Sequence, residues 1–279
     1  MVDFGLDIMS REIFCRFLFP LLVVFVFLTF SCSLGFGSPT VNGLLRHKGF
    51  DWRSATTEHF QLHFEANSLA EARIEVLKLL QEKSFVRNLK LLGASQYPYG
   101  TDAFIVSSRE RMKELIGRET NGIAFPDKKI VCFIFNEKQN AGGAHELMHV
   151  MARNLWTGNP KTWINEGLAV YADDQWWGHK LHDLNKYLLQ GGKLIPLEKL
   201  IEHLTDYSDM IVYPEAGSFL KYLYEQYGIV KVRQLWAHGD TQDFQRVFGE
   251  DLATLEREWH SELMRADSNR IRYDFSPKK

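Results

Sequence analysis

This chain of 279 residues is organised around two segments, Ala144-His145-Glu146-Leu147-Met148-His149 and Trp163-Ile164-Asn165-Glu166-Gly167-Leu168-Ala169. The first segment has the pattern H-E-x-x-H. Because residues four apart on an α-helix differ by only about 40° in azimuth, His145 and His149 present their imidazoles on one face. That geometry suits the first two ligands of a tetrahedral zinc ion and leaves Glu146 free to act as a base.

The spacing between the two segments places Glu166 within reach of the same ion. Asn159-Pro160 is a helix-start signal, because Asn can cap a helix and Pro is tolerated in its first turn. A helix that ends near Trp156 and a second that starts near Lys161 would form an antiparallel pair. At 1.5 Å per residue, His149 and Glu166 would then lie about 10 Å and about 8 Å from the turn. Two imidazoles and one carboxylate leave a fourth position for water, which is typical of a catalytic zinc.

The competing interpretation is an ordinary amphipathic helix with two solvated histidines. Apolar residues surround this helix on nearly all sides, namely Leu147, Met148, Val150, Met151, Ala152, Leu155 and Trp156. Such a helix is buried, and buried histidines need polar partners, so a metal site explains the pattern better. Gly167, a poor helix former, further predicts a close approach between two helices.

With these residues the chain resembles the gluzincin metallopeptidases, and most closely the small peptidase-MA-like domains, which are often secreted or carried on lipoproteins. The resemblance runs from the Glu58-His59-Phe60 segment to the region of Phe248-Gly249 and Trp259. It implies a zincin-like fold, a zinc ion (Zn²⁺) held by the two histidines and the downstream glutamate, and a peptide or protein substrate. It thus implies a zinc metallopeptidase.

Two related patterns fit less well. The Trp-x-Asn-Glu-Gly segment is also similar to that of aminopeptidase N-type enzymes, but the Gly-x-Met-Glu-Asn segment that anchors the substrate amino terminus in those enzymes is absent upstream. The metzincin pattern fails because positions 152 and 155 are Ala and Leu rather than Gly and His. The choice between endo- and exopeptidase stays open.

The implied mechanism assigns roles to individual side chains. Zinc lowers the pKa of its water to about 7, and Glu146 takes the proton and returns it to the leaving amine. In gluzincins a downstream Tyr often donates a hydrogen bond to the oxyanion; Tyr213 is the first candidate and Tyr207 the second, against the alternative of aromatic packing. In the resembling family a sheet edge can hold an extended peptide by strand addition, and Gly122 or Ala124 is a candidate for that edge.

Four more polar residues are candidates for supporting roles. Asp173 or Asp174 could fix the tautomer of an imidazole, although we expect at least one of them to be solvated. His179 and His182 could approach the site, but a polar loop would explain them equally well.

The hydrophobic pattern predicts an α+β fold, with a small mixed α/β sheet subdomain followed by a mainly helical one. Strands and helices alternate through residues 56–143, and residues 144–266 form a helical zinc-binding catalytic subdomain that begins with the active-site helix. Residues 38–55 are predicted to be a linker. Residues 267–279 are predicted to be a polar, frayed tail.

Residues 1–37 are predicted to be a targeting segment. Arg11 and Arg16 precede the uncharged apolar run from 17 to 30, which is typical of a secretory signal. Lipidation at Cys32 or ordinary cleavage is favoured over an uncut anchor, although the segment is long enough to span a bilayer. All three outcomes predict an extracytoplasmic protein, periplasmic or at the cell surface, attached to the membrane by lipid or by its N-terminal segment unless it is simply exported.

Charge, cysteine content and hydrophobic pattern give three further expectations. A net charge of −2 with 24% charged residues gives no reason to expect nucleic acid as a partner. Cys132 is the only cysteine beyond the targeting segment and lies in an apolar run, so we expect a core residue and no intrachain disulfide. His59 and His63 fall on the polar face of an alternating strand and are predicted to be solvated.

Two functions from other classes compete with hydrolysis. One is an inactive gluzincin-like module that binds zinc and captures peptides. The other is a scaffold lipoprotein whose histidines are incidental. Metal analysis would separate the scaffold from the rest, since only the scaffold would carry no zinc.

Overall fold

The computed structural model describes residues 39–138, 143–269 and 271–275. Within them a mixed sheet comes first and a mainly helical region follows, which confirms the predicted α+β fold. The predicted targeting segment, residues 1–37, lies outside the described residues. In the described ranges, no helix combines the length and apolar character needed to cross a bilayer.

Five strands form the main sheet: β1 (Trp52–Thr56), β2 (Phe60–Glu65), β3 (Thr101–Val106), β4 (Gly122–Phe125) and β5 (Ile130–Ile134). Their order across the sheet is β1-β2-β3-β5-β4. The three inner strands are parallel, whereas β1 and β4 pair antiparallel at the two edges. β4 is therefore an edge strand, and its position beside the active-site helix matters below.

α1 (Val41–Leu45) precedes the sheet, and three helices connect its strands: α2 (Leu69–Ala72), α3 (Ile74–Leu91) and α4 (Arg109–Ile116). Parallel strands need such crossovers. The Ser68 and Ser108 side chains cap α2 and α4, since each accepts a backbone N–H from the first helical turn. Gly117 ends α4 with φ of +75°, a conformation that favours glycine.

The second half is mainly helical: α5 (Ala144–Leu155), α6 (Thr162–Asp173), α7 (Leu181–Gln190), α8 (Leu197–His203), α9 (Asp209–Trp236), α10 (Asp243–Phe248) and α11 (Leu252–Leu263). A two-residue turn joins the short strands β6 (Gln175–Trp176) and β7 (His179–Lys180) between α6 and α7. α9 is interrupted at Gly228, which has non-helical φ and ψ angles.

One hydrophobic core joins the sheet to the helices. Ile105 and Phe133 from the sheet belong to the same buried cluster as Leu147 and Trp163 from α5 and α6. Cys132 lies on the opposite face of the sheet, fully buried, which confirms its prediction as a core residue. Residues 56–143 and 144–266 therefore do not fold around separate cores, although the switch from mixed to helical structure occurs where it was predicted.

The predicted linker, residues 38–55, is structured. It contains α1 and most of β1, and β1 pairs with β2 along its whole length. The indole N–H of Trp52 also donates to the Leu44 carbonyl at 3.1 Å. The linker prediction is wrong because β1 is an edge strand with mostly exposed side chains, so its sequence lacks the apolar period of a buried strand.

The predicted frayed tail is partly packed. Ile271 and Tyr273 are buried, and the Tyr273 hydroxyl donates to the Met210 carbonyl at 2.7 Å. That carbonyl lies four residues before Pro214, which has no N–H to donate within α9. The tail prediction is wrong at these positions because Tyr273 satisfies a carbonyl that the helix itself leaves unpaired.

The prediction of solvated histidines on β2 is also wrong for His63. Its side chain is buried, with Nδ1 at 2.9 Å from Ser54 Oγ and Nε2 at 2.8 Å from Asp102 Oδ1. Since β2 lies inside the sheet, its neighbours β1 and β3 supply both partners. His59, at the strand's start, stacks on the Phe85 ring and is partly buried.

Candidate metal centre

The helix α5 is held rigidly at the end that carries the H-E-x-x-H pattern. Gly143 precedes it with φ of +86°, and the Asn88 side chain on α3 donates to the Ala144 carbonyl at 2.8 Å. Most of the helix's apolar residues are buried, as the sequence predicted. His145 and His149 therefore project from a helix fixed against both the sheet and α3.

Three side-chain atoms converge from α5 and α6. His145 Nε2 and His149 Nε2 are 3.2 Å apart, and Glu166 Oε2 lies 3.4 Å from the first and 3.5 Å from the second. Within the described residues this is the one group of three potential ligands whose atoms lie so close together. Zinc–ligand bonds of about 2.0–2.1 Å at tetrahedral angles place ligand atoms about 3.3–3.4 Å apart, so the observed triangle fits zinc.

The second helix of the pair is positioned by close packing against α9. α5 ends and α6 begins within one residue of the predicted positions. A Cβ on Gly167 would lie 2.9 Å from the Ala216 carbonyl oxygen on α9. The Trp163 indole, one turn earlier on α6, donates to the Gly239 carbonyl at 2.8 Å. The close approach predicted from Gly167 is therefore real, and its partner is α9.

The converging groups strongly perturb one another's pKa values. Burial alone would lower the pKa of His145, but the hydrogen bond that it donates to Glu166 and the charge of Glu146 raise it to about 9. Burial would raise the pKa of Glu166, yet hydrogen bonds and charges from His145 and His149 hold it well below its usual range. Both pKa shifts arise because each group stabilises the charged form of its neighbour.

The Glu146 carboxylate lies against the edge strand β4. A Cβ on Gly122 would overlap its Oε1 and lie 2.9 Å from its Cδ. Glycine at position 122 therefore leaves the space that the Glu146 carboxylate occupies. Burial raises the pKa of Glu146, although the charges of His145 and His149 oppose the shift.

Asn165 is a supporting residue that the sequence analysis missed. Its Oδ1 lies 3.2 Å from His149 Nδ1, so it can accept that N–H and leave Nε2 as the metal-facing nitrogen. The residue directly precedes Glu166. Its position in the same helical turn, one residue from a candidate ligand, was the available signal.

The two aspartates after α6 have different environments. Asp173 lies on the cleft wall and accepts a hydrogen bond from the backbone N–H of His145, so it contacts the backbone of that residue. Asp174 instead forms an ion pair with Lys221 at 2.7 Å. Among the described residues Asn165, and neither aspartate, contacts an imidazole nitrogen of His149.

A cleft of about 1440 Å³ opens over the three candidate ligands. Its lining includes β4 and the loop before it, the β6–β7 hairpin and the start of α9. Tyr213 and Tyr207 both line this cleft, and the Tyr213 ring contacts Trp176 edge to face. Burial and the charge of Glu166 raise the pKa of Tyr213, so its hydroxyl keeps its proton.

The two further histidines are not among the cleft-lining residues that the structure describes. His182 Nδ1 lies 2.8 Å from Ser218 Oγ, on α9. His179 packs edge to face against Tyr273 in the C-terminal segment. Packing explains both residues.

The family match agrees with this geometry. A family profile described as the peptidase MA superfamily matches residues 84–265, well over half of the chain. The chain is also similar to the solved structure of native yeast LTA4 hydrolase, with 16% identity and a TM-score of 0.42. That alignment covers 78% of this chain and 38% of the hydrolase chain, so this chain spans well under half of that protein. No curated protein matches.

Proposed function

The chain belongs to the peptidase MA superfamily and has the gluzincin-type arrangement of H-E-x-x-H and a downstream glutamate, and from this premise we propose that it is a zinc-dependent peptide-bond hydrolase. The observation that carries the proposal is the triangle of His145, His149 and Glu166, with sides of 3.2–3.5 Å. Its size fits one tetrahedral zinc ion.

His145, His149 and Glu166 would hold the metal, and the remaining roles fall to other side chains. A bound zinc supplies a Lewis acid that polarises the substrate carbonyl and makes water a stronger acid. Glu146 takes the proton from the attacking water and delivers it to the leaving amine. Both steps need a carboxylate that can first accept a proton and then release it. Burial raises the pKa of Glu146, and a catalytic pKa closer to the working pH suits both transfers.

Two further residues position the reaction. Tyr213 keeps its proton and donates a hydrogen bond to the oxygen on which negative charge develops. Asn165 orients His149 through its Nδ1 atom. Tyr213 lines the cleft, and Asn165 contacts a candidate ligand.

The proposed substrate is a peptide or protein in extended conformation. β4 presents one edge to β5, and among the described residues no strand pairs with its other edge. Because Gly122 on β4 lies against Glu146, a chain added along this edge would pass beside the proposed base. Main-chain hydrogen bonds would provide affinity with little demand on sequence.

We place the activity outside the cytoplasm, with the protein attached to the membrane through its N-terminal segment. The support is the sequence of residues 1–37, with a basic flank, an apolar run and Cys32 after it. Fractionation of cells that produce the full chain tests this proposal. Recovery in the cytoplasmic fraction would contradict it.

Substitution of the proposed base tests the hydrolase assignment. Glu146→Gln should retain zinc, because Glu146 is not a ligand, and lower kcat by about 10²–10⁴-fold, the usual contribution of a general base. Zinc content and cleavage of a mixed peptide library would be measured together on the full chain. Glu198→Gln, an exposed position on α8, is the matched control. Full activity in Glu146→Gln would refute the assignment of Glu146 as the general base.

A further inference from the structure

Arg153 lies on the same face of α5 as the two candidate histidine ligands. Residues 145, 149 and 153 are spaced by four, so each is rotated by about 40° from the one before. Arg153 also lines the cleft. One helical turn of about 6 Å along the axis separates it from His149.

The edge strand β4 runs alongside α5, and a contact at each end of the strand defines their relative position. At one end Gly122 abuts the Glu146 carboxylate. At the other end, the Asn154 side chain donates to the Pro126 carbonyl, just beyond β4, at 3.0 Å. A peptide along this edge would therefore run from Glu146 toward Arg153. The rise of about 10 Å between them corresponds to about three residues of extended chain.

The charge of Arg153 is available to a ligand. In the part of the chain that the structure describes, it forms no ion pair, and one of its nitrogens donates to the Gly158 carbonyl at 2.7 Å. The guanidinium carries five N–H groups, so several are left for another acceptor. The residue is exposed at the cleft wall.

The cleft holds other charges as well, including Arg118 before β4 and Lys138 after β5. Asp173 and Asp209 are coupled electrostatically to His145 and Glu166, so they belong to the surroundings of the metal. Arg109, on the β4 side, pairs with Glu119 at 3.7 Å. The end of the cleft at Arg153 thus carries a cation that no described carboxylate neutralises.

We propose that Arg153 is a specificity-determining residue that selects substrates with a carboxylate about three residues from the scissile bond. This inference rests on the proposed function. A guanidinium binds a carboxylate through two parallel N–H groups, which gives both strength and geometric selectivity. The carboxylate belongs to an Asp or Glu side chain or to the peptide C terminus.

Matched peptides test the selectivity on the full-length, zinc-loaded protein. One peptide series carries Glu, Gln or Lys in turn at each of four positions on either side of the cleaved bond, with blocked termini. A second series has no acidic side chain and ends in either a free carboxylate or an amide. At one position kcat/KM should favour Glu over Lys by about tenfold or more, since a hydrogen bond to a charged group contributes this much. A preference only in the second series would assign the carboxylate to the terminus.

Charge reversal distinguishes recognition from a structural role. Arg153→Glu should reverse the preference to Lys, chiefly through KM, whereas Arg153→Lys should retain a weaker preference for Glu. If Arg153 served only to hold the turn at Gly158, both substitutions would change all peptides equally. Arg233→Glu, on an exposed position of α9 that does not line the cleft, controls for net charge.

Two failures can be told apart. Cleavage without any preference for an acidic group, or an unchanged preference in Arg153→Glu, would overturn this inference and leave the hydrolase assignment intact. Absence of all cleavage would overturn the hydrolase assignment. In that case equilibrium binding of the same peptides decides the matter: tighter binding of the acidic peptides, reversed in Arg153→Glu, supports the role of Arg153, and equal binding overturns it.

Discussion

Tyr213 and Asn165 are the two single residues that we propose complete the candidate centre. Neither belongs to the triangle of candidate ligands, yet one lines the cleft with a protonated hydroxyl and the other accepts from His149. Their placement depends on α9 and α6 packing tightly, with Gly167 directly against Ala216. Small changes in these side chains should therefore affect the reaction more than the fold.

Tyr213→Phe should lower kcat by about 10²–10³-fold with little change in KM, as removal of a single oxyanion donor does in other hydrolases. The ring would be kept, so its contact with Trp176 should hold the local packing. Steady-state kinetics with one peptide substrate is the measurement. Tyr207→Phe serves as the comparison, and an equal loss in both variants would contradict the assignment of Tyr213.

The candidate ligands could be predicted from sequence because their geometry is local. Spacing of four on a helix puts His145 and His149 on one face, and a short turn brings Glu166 back to the same height. Asn165 was not singled out, although it directly precedes Glu166, because the sequence does not show that its side chain would contact a ring nitrogen of His149. Gly122 was connected to the site only through the family resemblance.

Among the elements, β4 and α5 are coupled by close packing. The strand passes so close to the helix that position 122 has no room for a side chain beside Glu146. The backbone of Gly122 does not have a positive φ, so alanine is allowed there by conformation. The restriction at this position is therefore steric and concerns the proposed base.

Gly122→Ala should displace Glu146 and lower kcat/KM by about 100-fold, since misplacement of a reacting group by about 1 Å can have this effect. Zinc content should be unchanged, because the ligands lie on α5 and α6. Gly100→Ala is a suitable control, as a Cβ there meets no atom within 4 Å. Equal activity of the two alanine variants would show that Glu146 and β4 are not coupled.

The C-terminal segment and α9 form a second pair of coupled elements. Tyr273→Phe would leave the Met210 carbonyl without its donor in a buried setting. We expect the free energy of unfolding to fall by about 1–3 kcal/mol, the effect of one unsatisfied buried group. Thermal or denaturant unfolding measures it. Tyr99→Phe, at an exposed ring, should change stability far less, and equal losses would contradict this account.

The elements that sequence analysis missed share a physical cause. β1 is exposed along one edge, and the packing of Tyr273 depends on Met210, which lies 63 residues earlier. Helices and inner strands carry their own period or caps, so they were predictable. Edge strands and tails obtain their stability from distant partners, and such partners leave no local pattern.

For the whole molecule, we expect the free energy of unfolding to fall at acid pH because of His182 on α7. Burial and the nearby charge of Lys221 lower the pKa of His182 to about 4, below its ordinary value of 6.5. Between these two values the unfolded chain binds a proton that the folded chain does not. The contribution of His182 to stability is therefore complete above pH 6.5 and is lost as the pH falls toward 4.

His182→Asn should accordingly flatten the decline in unfolding free energy between pH 7 and pH 5. Denaturant unfolding at several pH values, with a chelator present throughout, keeps metal release out of the comparison. His203→Gln, at an exposed histidine on α8, should keep the slope of the parent protein. An unchanged slope in His182→Asn would show that this histidine is not the group that titrates.

The stoichiometry of zinc in purified protein tests the central claim most directly. Elemental analysis should find about one zinc per chain in the parent and in Glu146→Gln, and much less in His149→Ala and in Glu166→Ala, since a catalytic site of this kind has only three protein ligands. The contradicting result is a parent protein without zinc, or zinc that stays fully bound when either His149 or Glu166 is removed.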